Sequence, residues 1–131
     1  MFLDASAMTA IIGGEDDAQQ LSAKLERATR RLVSAMSVYE TVAAVARKKG
    51  AEINDTAVVV DAFIRQVGAE MMPIGPEVSV LAIRAMSRYG KGRHKAGLNM
   101  GDCFAYACAR HLDVPLLFKG NDFIHTDITV A

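Results

Sequence analysis

Short apolar runs and amphipathic stretches alternate along the chain, and their order predicts a sheet interleaved with helices. Met1-Phe2-Leu3 is apolar and too short for a helix, so it reads as a strand that ends on Asp4. Ala7 to Ile12 follow as a short helix stopped by Gly13-Gly14, where glycine supplies the left-handed backbone a helix end needs. Glu15, Asp16 and Asp17 then crowd the first turn of a helix whose inward stripe is Ala18, Leu21, Leu25 and Ala28, a placement that favours the positive end of the helix dipole. Residues 31–35 (RLVSA) form a second strand, and Ser37 with Glu40 fits S-x-x-E, a capping box opening a helix with Val38, Val42 and Val45 on one face. That helix ends at Gly50.

Asn54 or Asp55 is the expected cap of the next helix, which runs to Gly68 with Val58, Val59, Val60, Phe63, Ile64 and Val67. It is apolar around more than one face, so it either lies deep or meets a partner. Glu70 to Ile74 is a third strand with Pro73 at its end, and Pro76 opens a helix carrying Val78, Leu81, Ala82, Ala85 and Tyr89 at the 3.6 period. A basic, glycine-rich loop, YGKGRHKAG, leads to Asn99 and Asp102, spaced as a capping pair ahead of Phe104, Ala105, Cys108 and Leu112. Pro115-Leu116-Leu117-Phe118 has the continuous apolar character of a parallel strand covered on both faces. Gly120-Asn121-Asp122 turns the chain, and residues 128–130 (ITV) add a last edge strand. Strands alternating with helices imply a three-layer α/β/α sandwich around a mostly parallel sheet, built as one domain over residues 1–131.

Charge changes this picture little. Fifteen basic and fifteen acidic side chains cancel, so no global field draws the chain to nucleic acid or membrane, and any such binding is local. Cys103 and Cys108 lie five apart on one helix, point to different sides, and read as small buried residues of a reducing compartment. No basic leader and no membrane-spanning apolar run is present, so a soluble, cytoplasmic protein is expected.

The candidate chemistry lies in four acids. Asp4 and Asp122 follow strands, and Glu40 and Asp102 fall in first turns of helices; in a parallel sheet these positions share the edge beyond the carboxyl ends of the strands, where ligands bind. Each acid alone is explained by capping. Together they repel one another unless a divalent cation shares them, and all-oxygen donors without paired His or Cys select Mg²⁺ or Mn²⁺ over zinc. His94, His111 and His125 are scattered, and no Ser-His-Asp spacing, P-loop or G-x-G-x-x-G occurs.

Asp4 in MFLDASA, Glu40 in SVYE, Asp102 in LNMGDCFAYA and Asp122 in KGNDF match, in order and spacing, the acidic positions of PIN-domain ribonucleases, and the chain most resembles the VapC toxins of bacterial toxin–antitoxin pairs. The resemblance spans essentially the whole chain. It implies a PIN fold, metal-dependent endoribonuclease activity, dimerisation and inhibition by a cognate antitoxin. On this reading Asp4 and Asp102 are direct metal ligands, Glu40 and Asp122 hold a second ion or metal-bound waters, and Ser6 supports the cluster. One position departs from the common pattern: Lys119-Gly120 precede Asn121-Asp122 where an acid or hydroxyl is often found, which makes Asn121 an alternative group to orient a water. Lys91, Arg93 and Lys95 are candidates for holding RNA phosphates. Two alternatives stand beside this one: a receiver-like phosphoacceptor domain, which would need paired acids after its first strand, and a catalytically inactive PIN scaffold.

Overall fold

The computed structural model describes residues 1–131. Four strands, β1 (Phe2–Leu3), β2 (Leu32–Ser34), β3 (Glu70–Met72) and β4 (Leu116–Leu117), form one sheet in the order β3-β2-β1-β4, and every pairing is parallel. The sheet is thus wholly rather than mostly parallel. Its order also differs from the 2-1-3-4-5 order of receiver-type sheets, because here β3 flanks β2 instead of β1. The strands are short, but backbone hydrogen bonds continue past their ends: Phe2 N–H donates to Pro115 O (2.8 Å) and Asp4 N–H to Leu117 O (2.9 Å).

Six helices cover the sheet: α1 (Ala5–Gly13), α2 (Ala18–Arg27), α3 (Ala35–Lys49), α4 (Ile53–Gln66), α5 (Pro76–Tyr89) and α6 (Met100–His111). Alternation along the strands divides the core in two. Phe2, Leu32 and Leu116 point to one face and pack with α5 and α6 through Val78, Ala82, Ala105 and Cys108. Leu3, Val33 and Leu117 point to the other and pack with Ala7, Met8, Leu21 and Leu25 of α1 and α2. Each such large apolar side chain, fully withdrawn from water, contributes about 1.5–3 kcal/mol before conformational entropy is counted. Both cysteines are buried and unpaired.

Local signals mark most boundaries where expected. Gly14 and Gly50 end α1 and α3 in the left-handed conformation, at φ 64° and 60°. Three boundaries shift. The capping box of α3 is made by Ser34 and Ser37, not Ser37 and Glu40: Ser37 N–H donates to Ser34 Oγ (3.2 Å) and Ser34 N–H to Ser37 Oγ (3.0 Å). Glu40 therefore lies in the second turn of α3 instead of its first. The cap of α4 is Glu52, ahead of both Asn54 and Asp55, and Ala28 ends α2 as an extended residue outside its stripe. Residues 128–130 contribute a single parallel bridge, Val130 to Leu116, instead of a strand.

Two apolar surfaces face solvent. On α4, Ile53, Val58 and Val59 are exposed while Thr56 and Val60 are buried, so the multi-faced apolar character of this helix is largely outward. On the opposite side, Ile83 and Met86 of α5 and Met100 of α6 are exposed around a hollow of about 370 Å³, and Val80 of α5 is exposed outside it. No helix is long and apolar enough to cross a membrane.

Candidate active site

The carboxyl ends of β1 and β4 open into a cleft of about 660 Å³ lined by α1, α3 and the start of α6. Asp4 is its deepest acid. As the N-cap of α1 it has extended backbone, and its Oδ2 accepts from Ser6 N–H (2.9 Å) and from the Ser6 hydroxyl. It is only 4% exposed, and burial pushes its carboxyl above the usual range against the lowering effect of the Ser6 hydrogen bonds. Ser6 Oγ in turn accepts from Lys119 N–H (3.0 Å), which ties the start of α1 to the chain leaving β4.

Asp102 projects from the first turn of α6. Its Oδ2 accepts from Asn99 N–H (2.8 Å) while Asn99 Oδ1 accepts from Asp102 N–H (3.0 Å), the reciprocal cap read from the spacing. Burial, opposed by the Asn99 hydrogen bond and reinforced by the charges of Asp4 and Asp122, raises its pKa to about 6. Glu40 completes the trio from α3. Its pKa is raised to about 7 by burial and then by Asp4 and Asp102, so three carboxyls share one field.

Sequence reasoning missed how Glu40 is accommodated. Its carboxylate occupies the volume that a side chain at Gly101 would take: a Cβ built there would fall inside the van der Waals radii of both Glu40 oxygens and of Cδ. Gly101 has no positive φ, so the backbone itself does not demand glycine. The available signal was a glycine in a helix's first turn, next to an acid, at a small intrinsic cost in helix propensity.

The remaining expected residues are not gathered in the cleft. Asp122 is exposed, makes no side-chain cap, and does not line it, although its charge reaches Asp4 and Asp102. Asn121 is exposed beside it and does not line the cleft either. Lys91, Arg93 and Lys95 are also exposed and outside it, on a loop closed at its base by Lys91 N–H to Leu98 O (3.0 Å) and Leu98 N–H to Tyr89 O (2.9 Å); Lys91 borders the apolar hollow instead. The cations that do line the cleft are Arg47 and Lys119. Lys119 is held by Glu15 and, at 3.0 Å, by Asp17, and Glu15 also pairs with Lys48. The acidic run at 15–17 precedes α2 and puts no acid in its first turn, contrary to the sequence expectation; Asp17 is its N-cap residue without a side-chain cap. The run serves partly as an ion-pair rim, and Glu15 is kept below the ordinary carboxylate range by the two lysines.

The donor set suits a hard divalent cation: it is carboxylate and hydroxyl oxygen throughout, its acids resist ionising together, and the buried Thr9 Oγ1 on the cleft wall has no hydrogen-bond partner. No three His, Cys, Asp or Glu side chains form a ready-made metal cluster.

An all-parallel sheet covered by helices on both faces, with carboxylates converging at its carboxyl edge, defines a class, and the PIN domain family model matches residues 1–128: the chain belongs to the PIN domain family. Its relatives there are VapC ribonucleases. It is 39% identical over 132 residues to ribonuclease VapC30 of Mycobacterium tuberculosis, covering 100% of this chain and 98% of that one. It is 39% identical over 139 residues to VapC ribonuclease R02377 of Rhizobium meliloti, covering 97% and 98%. The fold matches the crystal structure of M. tuberculosis VapC20, a sarcin-ricin loop cleaving toxin, with a TM-score of 0.77 at 17% identity over 99% of this chain and 97% of that one.

Proposed function

We propose that this chain is a VapC-type toxin, an endoribonuclease that hydrolyses RNA phosphodiesters with Mg²⁺ or Mn²⁺. The observation that carries this reading is the convergence of Asp4, Glu40 and Asp102, from three separate elements, on one cleft where each has a raised pKa. Carboxylates so arranged destabilise the metal-free protein and are neutralised by a shared cation, and no side-chain nucleophile is needed.

Asp4 and Asp102 would hold the metal, which when bound supplies charge neutralisation at the scissile phosphate and an acidified water. Glu40 and Asp122 orient water, and the elevated affinity of Glu40 for protons near neutrality suits it to accept one at its carboxylate. Ser6 fixes the Asp4 carboxylate through two hydrogen bonds to Oδ2. Asn121 remains the alternative to Asp122 as the group that orients water. Lys91, Arg93 and Lys95 add affinity for flanking phosphates. The toxin acts in the cytoplasm, where a cognate antitoxin covers the exposed apolar face of α4 and a second copy of the chain packs against that of α5 and α6.

Cleavage of a panel of structured RNAs with Mg²⁺, with Mn²⁺ and with EDTA, beside Asp4→Asn, tests the proposal. Cutting by the parent only when metal is present, lost in Asp4→Asn, is expected. Cleavage that persists in EDTA would refute the metal mechanism, and a folded parent that cuts nothing would favour the inactive scaffold.

A further inference from the structure

One wall of the cleft is a single helical face. Tyr39, Glu40, Ala43, Ala44 and Arg47 of α3 all line it, at the spacings that bring helical residues onto one side. Ala43 and Ala44 are short, so the wall between Tyr39 and Arg47 is shallow. Tyr39 is 73% exposed and has neither a hydrogen bond nor an aromatic neighbour; a large ring left in water contributes nothing to the core. Arg47 has no carboxylate partner, whereas Lys119, the other cation of the cleft, is already held by Glu15 and Asp17. The two unengaged side chains lie eight residues apart, about 12 Å along the helix axis at 1.5 Å per residue. Glu40 sits beside Tyr39 at one end of this span.

We infer that this face of α3 is a track for single-stranded RNA: Tyr39 stacks on the base next to the phosphate at the carboxylates, and Arg47 grips a phosphate further along the same strand. The inference rests on the ribonuclease reading and adds the orientation of the substrate to it. Stacking explains an exposed ring beside an acidic cluster, because every base offers a π-face and the contact tolerates sequence. A guanidinium fork suits phosphate oxygens, and its distance from the acids spares it from being neutralised by them.

The test is equilibrium binding of a short fluorescent oligouridylate in EDTA, where no cleavage interferes, over a range of salt. Tyr39→Ala should weaken binding roughly ten-fold and Tyr39→Phe should restore it, since the ring and not the hydroxyl is used. Arg47→Ala should lower the slope of log affinity against log salt by about 0.7, the value for one phosphate contact on a single strand. With metal restored, both alanine variants should need more RNA than the parent to reach half-maximal cleavage. Parent-like affinity and slope in both variants, in a protein that cleaves normally, would overturn the track and leave the ribonuclease reading standing. Failure of the parent to bind or cut any RNA would overturn both.

Discussion

Gly101→Ala separates what α6 needs to fold from what the cleft needs to work. Gly101 adopts an ordinary helical backbone, so alanine should gain up to about 1 kcal/mol of helix propensity, a rise of about 3–5 °C in melting temperature for a chain of this size. The new methyl occupies the seat of the Glu40 carboxylate, and no adjustment smaller than turning that side chain away relieves the overlap. Turning it toward solvent relieves the burial that holds its pKa near 7, so the expulsion costs the metal-free protein little. Gly101→Ala should therefore melt no lower than the parent in EDTA, yet lose metal-dependent cleavage to the extent that Glu40→Ala does. A double-mutant cycle makes the argument quantitative. In a Glu40→Ala background the methyl has nothing to displace, so Gly101→Ala should stabilise by the full helix increment and cost no further activity. Parent-like cleavage by Gly101→Ala would refute the role of the seat. A fall of many degrees in melting temperature in both backgrounds would show that the glycine serves packing instead.

Three further outcomes follow from the same geometry. The folded metal-free protein binds protons at Glu40 and Asp102 more tightly than the unfolded chain, at about 7 against 4.5 and about 6 against 3.8, so its stability should fall as pH rises through that interval, by on the order of 2 kcal/mol after allowance for solvent screening; denaturant titrations at pH 5 and pH 8 measure this, and saturating Mg²⁺ should flatten the difference. Asp102→Asn should abolish cleavage while costing the metal-free fold no more than about 1 kcal/mol, because an amide oxygen can still accept from Asn99 N–H; thermal melts in EDTA showing a much larger loss would mark Asp102 as purely structural. Hydrogen exchange with the antitoxin bound should protect α4 between Asp55 and Gly68, and unchanged exchange there would move the partner to another surface.

Much of this protein is written locally. Apolar runs marked all four strands, Asn99 and Asp102 carried their reciprocal cap in their spacing, and Gly14 and Gly50 ended helices because only a left-handed residue satisfies those last carbonyls. The acids at strand ends, read together with the order of their motifs, were enough to bring the PIN family into view. Tertiary structure decided the rest, and the reason is range. Ser34 and Ser37 are both competent caps, and the folded chain uses the first, which sets Glu40 in the second turn of a helix packed against α1, α4 and α6. Gly101 matters through a residue 61 positions earlier, and Glu15 through Lys119, 104 positions later; no spacing rule along a chain encodes such pairs. The loop bearing Lys91, Arg93 and Lys95 adjoins α6 in sequence, yet its closed base leaves those charges outside the cleft, while Arg47, on a helix chosen for its buried face, lies within it. Sequence specifies which side chains are chemically competent, and the three-dimensional packing of distant helices determines which of them share a field.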